Sequence, residues 1–302
     1  MSLHGTLSLF SLPQGDDYKR PYFTTGDVSA TRAIVFIAGL YNGLLEPAFV
    51  TPLAHALEKA KWKLILFAWS GQYDGFGSGS LDRDVADMSS LIKHVRAQDK
   101  VQDVVIMGHS TGSQDVIHYL TSPTASSREP VLGGIMQAPA SDRQYFAEKS
   151  TEGVDVWKAA LVDAERLLKE GKKDTLMSPE FCKTAGTRMT AYRLHSLIGV
   201  GGDDDYFSSD LPDTNDPPTP HVHPLASSFG KLTTPALVLW SEKDEYGYLD
   251  DQRPLLDRWI AASNGKLSAK VVTGATHGVK EETSQRELCD LTVGWLTENF
   301  GE

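Results

Sequence analysis

Unbroken apolar runs punctuate the chain at residues 33–38, 64–68, 104–107, 131–136, 235–240 and, less purely, 269–273. Runs of this length, rich in Val and Ile, predict strands buried on both faces. Between them the period changes. Leu81, Val85, Met88, Ile92 and Val95 recur at four-three spacing, which predicts one apolar stripe along a helix. Ser80 is placed to cap that helix, with Asp84 and Asp87 early and Lys93 and Arg96 late, as its dipole favours. Helices are also expected over 47–60, from 110 to about 120, and over 255–262. Two short strand-like pieces, 5–12 and 22–25, precede all this, with a polar turn at 15–17. Strand–helix alternation predicts a mostly parallel sheet with right-handed crossovers and helices on both faces.

The alternation stops near residue 142 and resumes near 232. In between, Trp157, Ala160, Leu161, Ala164, Leu167 and Leu168 share one face of an amphipathic helix that ends near Gly171. Ser178-Pro179-Glu180 predicts another helix start, with Pro at the first helical position, and a third helical piece is expected over 189–198. The division expected is therefore a core formed by 1–141 and 231–302, with 142–230 inserted as a largely helical cap over the sheet's C-terminal edge. In the last helix, Leu288, Leu291 and Trp295 share a face, and Ser284 and Glu287 have capping-box spacing.

Composition narrows the class. The 302 residues are 40 % hydrophobic and 23 % charged, with a net charge of −11. That balance argues against nucleic acid as a partner. No run reaches the 18 or so apolar residues of a membrane span. Two cysteines, Cys182 and Cys289, are read as free thiols in a reducing compartment. The start of the chain lacks the pattern of a signal peptide, so a soluble, cytoplasmic protein is expected. From Leu194 to Gly230 there are six Asp and no Lys, Arg or Glu. Such a mouth would draw a cationic or amine-bearing substrate, and Asp203, Asp204 and Asp205 are its candidate contacts.

The chemistry begins where the 104–107 run ends in Gly108-His109-Ser110-Thr111-Gly112, a match to G-x-S-x-G at a strand-to-helix turn. Serine needs a base to take its proton and a third group to orient that base. The run 235–240 is followed by Ser241-Glu242-Lys243-Asp244-Glu245, and 269–273 by Gly274-Ala275-Thr276-His277. The order Ser, acid, His is that of the α/β-hydrolase fold, with acid and His each after a late strand. Ser110 is the expected nucleophile, His277 the base and Asp244 the orienting acid, with Glu242 and Glu245 as rivals. His109 is read as packing. The oxyanion hole is expected from the N–H groups of Thr111 and Leu40; the second donor lies in a loop that here reads Ala38-Gly39. No cofactor is called for. The glycine loop 71–80 breaks the dinucleotide pattern at Ser80. His221 and His223 lie among aspartates without ligand spacing, so no metal is assigned.

Gly108-His-Ser-Thr-Gly-Ser-Gln-Asp115, together with Gly201-Gly-Asp-Asp-Asp-Tyr-Phe-Ser-Ser-Asp-Leu211, resembles a fungal family of α/β-hydrolases of the DUF1749 type, over nearly the whole chain. The resemblance implies a cytosolic serine hydrolase acting on a small-molecule ester, namely fusarinine-type hydroxamate siderophores, so that iron is released. It places the family's triad on Ser110, Asp244 and His277. A general carboxylesterase or lactonase, or a hydrolase-fold binding protein without activity, are the competing readings.

Overall fold

A computed structural model describes residues 2–146 and 154–301; residues 147–153, within the expected cap, lie outside the described residues. Eight strands form one sheet: β1 (Thr6–Leu12), β2 (Gly15–Gly26), β3 (Arg32–Ile37), β4 (Lys63–Phe67), β5 (Asp103–His109), β6 (Gly133–Gln137), β7 (Ala236–Ser241) and β8 (Leu267–Val272). Their spatial order is β1-β2-β4-β3-β5-β6-β7-β8. The hairpin β1–β2 and the β2–β4 pair are antiparallel, and every later pair is parallel. The fold is that of the α/β-hydrolases.

The apolar runs explain the centre of this sheet. All residues of β4, β6 and β7, and nearly all of β3 and β5, are buried. They are covered on both faces, because parallel crossovers lay helices there. The helices are α1 (Val50–Lys59), α2 (Leu81–Gln98), α3 (Thr111–Thr121), the single turn α4 (Asp142–Gln144), α5 (Val154–Lys169), α6 (Pro179–Thr184), α7 (Ala191–Ile198), α8 (Arg253–Ala262) and α9 (Glu282–Phe300). The expected caps form at α2, where Ser80 accepts from the Arg83 amide, and at α6, where Ser178 accepts from Phe181.

Two local expectations fail. The polar stretch 15–17 is not a turn: β2 already begins at Gly15, so the hairpin turns at Pro13–Gln14. Ser284 and Glu287 do not cap α9, which starts at Glu282. Both instead grip Thr273 past the end of β8. Ser284 donates to its carbonyl at 2.7 Å, and Glu287 accepts from its N–H and hydroxyl at 2.8 and 3.1 Å. A Ser-x-x-Glu pair one turn inside a helix satisfies a neighbouring loop as readily as its own amides.

The stretch 142–230 packs in two ways. Trp157, Phe181, Met189, Leu194 and Ile198 form a second hydrophobic cluster, which Phe76 of the core joins. Tyr206, Phe207, Leu225 and Phe229 enter the main core beside Trp259. The glycine loop is the seat of the first group: it forms a short 3-10 helix, Tyr73–Ser78, and Gly77 lies so close to Arg188 that a Cβ would stand 2.1 Å from its carbonyl. Among the described residues no helix is long and apolar enough to cross a membrane.

The order β4-β3-β5 means that the chain leaves β3 in one direction and β5 in the other. A crevice opens at such a switch point beyond the strands' C-terminal ends. Ser110 and Leu40 stand on its two sides.

Candidate active site

Ser110 joins β5 to α3 at φ 56° and ψ −123°, a conformation that costs a side-chain-bearing residue about 1–3 kcal/mol. Close packing imposes it. A Cβ on Gly108 would lie 1.9 Å from the Gly112 carbonyl, and one on Gly112 would lie 2.4 Å from the Ile37 carbonyl. The Ser110 N–H donates to the Gln137 carbonyl of neighbouring β6 at 3.0 Å, which fixes the elbow to the sheet.

Asp244 and His277 leave the ends of β7 and β8. The His277 Nδ1 is 2.9 Å from both carboxylate oxygens of Asp244, whose side chain is only 1 % exposed. The same carboxylate accepts from the Tyr246 amide at 2.9 Å. The rival acids are engaged elsewhere: Glu242 accepts from the Gly274 amide, and Glu245 from the backbone N–H of His277 itself. A carboxylate on Nδ1 leaves Nε2 free for a nucleophile. Ser110 and His277 line one cavity of about 510 Å³. Among the described residues no hydrogen bond joins the Ser110 hydroxyl to His277; such bonds commonly close only with substrate in place.

The His277 ring is held between two others, with centroids 4.9 Å from His109 and 4.5 Å from Tyr246. His109 is 3 % exposed. Its Nδ1 lies 2.5 Å from the Gln137 Oε1, and the Gln137 amide nitrogen donates to the Ser241 hydroxyl at 3.0 Å. Burial, then the nearness of His277, push the His109 pKa down to about 3, so it packs as a neutral ring.

Thr111 supplies the first amide of α3, one of those no intrahelical carbonyl can reach. Leu40 lies across the crevice and lines the cavity. Gly39 presses against the serine: a Cβ there would stand 2.7 Å from the Ser110 Cβ and 3.2 Å from its Oγ. Asn42 fastens this loop. Its Oδ1 accepts from the Gly39 N–H at 3.3 Å, and its own N–H donates to the Gly39 carbonyl at 3.2 Å. Tyr41 donates its hydroxyl to the Ala185 carbonyl at 2.5 Å, and Glu46 accepts from the Gly43 amide at 2.8 Å.

The aspartates expected as substrate contacts lie elsewhere than the cavity shared by Ser110 and His277. Asp203, Asp204 and Asp205 line no part of this cavity. Asp204 is fully buried and accepts from Arg193 and Ser196 at 2.6 and 2.5 Å. Asp205 accepts from Arg143 at 2.7 Å, and Asp203 accepts from the Tyr192 hydroxyl. Two of these charges, on Asp204 and Asp205, are met by arginines outside the acidic run, Arg193 and Arg143. His223 is used too, stacked on Tyr206 at 3.7 Å.

Besides Glu46 and Glu245, the cavity is lined by the acid Asp142, held by the Gln114 amide nitrogen at 3.0 Å. Burial lifts its carboxyl to about 6. Tyr145, Phe146 and Tyr246 complete an aromatic wall, with Tyr145 4.6 Å from Tyr246 and Phe146 stacked on Trp157 at 4.5 Å. None of these was singled out from sequence. Gln137 directly follows the apolar run 131–136, but its pairing with His109 appears only once β5 and β6 are neighbours.

Comparison with known proteins agrees with the architecture. A family described as "Protein of unknown function (DUF1749)" matches residues 4–297. The UPF0613 protein PB24D3.06c of Schizosaccharomyces pombe is 32 % identical, over 86 % of this chain and 85 % of that protein. The fusarinine C esterase sidJ of Aspergillus fumigatus is 27 % identical, over 91 % of each. The solved structure of the siderophore hydrolase EstB from Aspergillus fumigatus superposes with a TM-score of 0.80 at 25 % identity, covering 100 % of this chain and 99 % of that one. With a fold and a family match that both run almost from end to end, the chain belongs to the DUF1749 family of α/β-hydrolases.

Proposed function

We propose that this chain is a serine esterase that cleaves the ester bonds of fusarinine-type hydroxamate siderophores through an acyl-enzyme, releasing iron in the cytoplasm. That it is a carboxylic ester hydrolase rests on its similarity to named esterases across the fold. The observation that carries the mechanism is His277, tied through Nδ1 to both oxygens of buried Asp244 and sharing one cavity with the strained Ser110.

In this reading the Ser110 oxygen attacks the ester carbonyl carbon while the His277 Nε2 takes its proton. The carbonyl oxygen becomes an anion between the amides of Leu40 and Thr111, each worth about 2.7–4 kcal/mol to the transition state. The alkoxide leaves with the proton from His277. Water then attacks the acyl-serine by the same route and restores the hydroxyl. Asp244 holds the imidazole in the required tautomer and balances the imidazolium charge.

The test is hydrolysis of ferric and iron-free fusarinine C, each acetylated and not, followed by mass spectrometry beside simple aryl esters. A fluorophosphonate probe should mark Ser110 and leave Ser110→Ala unmarked. A folded protein that takes up no probe overturns the acyl-enzyme. Aryl ester turnover without any cleavage of the siderophores overturns the substrate assignment alone.

A further inference from the structure

Beside the catalytic cavity lies a second pocket, of about 310 Å³, with a mostly apolar lining that includes Leu3, Leu7, Phe23, Leu44, Leu45 and Thr51. Its place in the fold follows from the β1–β2 hairpin. Along β1, Phe10 and Leu12 point into the core, so the alternate residues Leu7 and Leu9 face outward, at 66 % and 55 % exposed. Phe23 sits opposite Leu7 on β2. The result is an apolar strip on the surface, where single leucines are ordinary but a contiguous, concave group marks a binding surface.

Leu45 connects the strip to the chemistry: it forms part of the wall of both cavities. It is 49 % exposed and stands at φ 69°, a left-handed backbone in which leucine is uncommon. The bond from the Gly43 amide to Glu46 closes the turn that imposes this conformation. An exposed apolar side chain kept in a strained backbone, at the junction of two pockets, is an outlier of the kind that accompanies ligand contact. The main cavity is differently furnished, with Asp142, Glu46, Glu245 and Lys280 among its tyrosines.

We infer that the Leu3–Leu7–Leu45 pocket is a second subsite, which holds an apolar hydrocarbon arm of the ester substrate as it extends past Leu45 from the catalytic cavity. This rests on the esterase reading and adds a substrate feature to it. Each methylene seated there leaves water, so selectivity should rise with chain length until the pocket is full.

The experiment compares kcat/KM for p-nitrophenyl acetate, butyrate, octanoate and decanoate with the full chain and with Leu7→Glu, a substitution at an exposed strand position outside the catalytic cavity. The wild type should favour octanoate over acetate by roughly tenfold or more, and Leu7→Glu should cut that ratio at least about fivefold, through KM rather than kcat. Leu45→Gly, which relieves the backbone strain, should also lower the ratio. A wild-type preference for acetate, or a chain-length profile identical in wild type and Leu7→Glu, overturns the subsite. Acetate hydrolysis and probe labelling at Ser110 report on the esterase reading separately: if both persist while the profile is flat, only the subsite fails.

Discussion

At the residue scale the site is governed by close approaches that admit one side chain and no other. Among the described residues Asp244 is the carboxylate bonded to the His277 imidazole, since Glu242 and Glu245 are spent on backbone amides. Asp244→Asn should therefore lower kcat by about 10⁴-fold, because the amide stabilises the wrong imidazole tautomer, whereas Glu242→Gln should stay within a few-fold. Steady-state kinetics on an aryl ester separates the two. Equal losses would show that the acid is shared. Gly39 is the second such point. Gly39→Ala places a methyl group 2.7 Å from the Ser110 Cβ, so the loop must retreat and take the Leu40 amide with it. Turnover should fall by about 10²-fold or more, the scale of losing one oxyanion donor, with an unchanged far-ultraviolet circular dichroism spectrum. The reason for Gly108, Ser110 and Gly112 was legible along the chain, because a strand-to-helix turn with serine at its apex has few solutions. Gly39 and Asn42 were less so: what confines them is a residue some seventy positions away, visible only once β3 and β5 are neighbours.

At the scale of elements, α7 carries one buried cation among acids from several segments. Arg193 is 1 % exposed and donates to Asp204. Its charge is also felt by Asp84 on α2, Asp115 on α3 and Asp142. Arg83, 3.7 Å from Asp84, and Arg128 add to it, yet burial outweighs all three for Asp84 and Asp115. Burial accordingly lifts Asp84 to about 7 from 3.8, and Asp115 well above its ordinary range. The linkage has a definite sign: a carboxyl raised on folding contributes stability that is complete below about pH 4 and is lost as pH climbs through about 7. Asp84→Asn removes that loss. Its melting temperature should gain on the wild type between about pH 5 and about pH 8, as read by calorimetry in matched buffers; a difference that stays flat with pH contradicts it. This nest is also why the acidic run misled. Strands and helices follow from period and from caps such as Ser80 and Ser178, which act within a few residues. Asp204 and Asp205 find their partners, Arg193 and Arg143, 11 and 62 positions away, and no local pattern records such a meeting. The Ser284–Glu287 pair went wrong for a related reason: its true partner, Thr273, lies in another element.

Across the whole molecule, the expected alternation and the strand-end placement of Ser110, Asp244 and His277 all appear in the structure, while the division of labour inside 142–230 does not follow the chain. Among the described residues, Trp157 through Ile198 pack in their own cluster with Phe76, whereas Tyr206, Phe207 and Phe229 are built into the main core. The hydrogen bond from Tyr41 to the Ala185 carbonyl crosses this divide. Tyr41→Phe should slow both ester turnover and the rate of fluorophosphonate labelling by roughly tenfold, with little change in melting temperature; the loss of one hydrogen bond costs only about 1 kcal/mol, so the effect should come from geometry. A stopped-flow labelling assay distinguishes this from a simple stability defect. The same bond has a practical corollary for anyone recombining family members. The loop that carries Leu40, the proposed oxyanion donor, hangs from the roof of the crevice as well as standing on its floor. Because the acceptor is a main-chain carbonyl, a chimera that transplants the roof from one homologue onto the base of another keeps an acceptor but shifts its place, and the hybrid should fold, melt normally and turn over poorly wherever that carbonyl no longer meets residue 41.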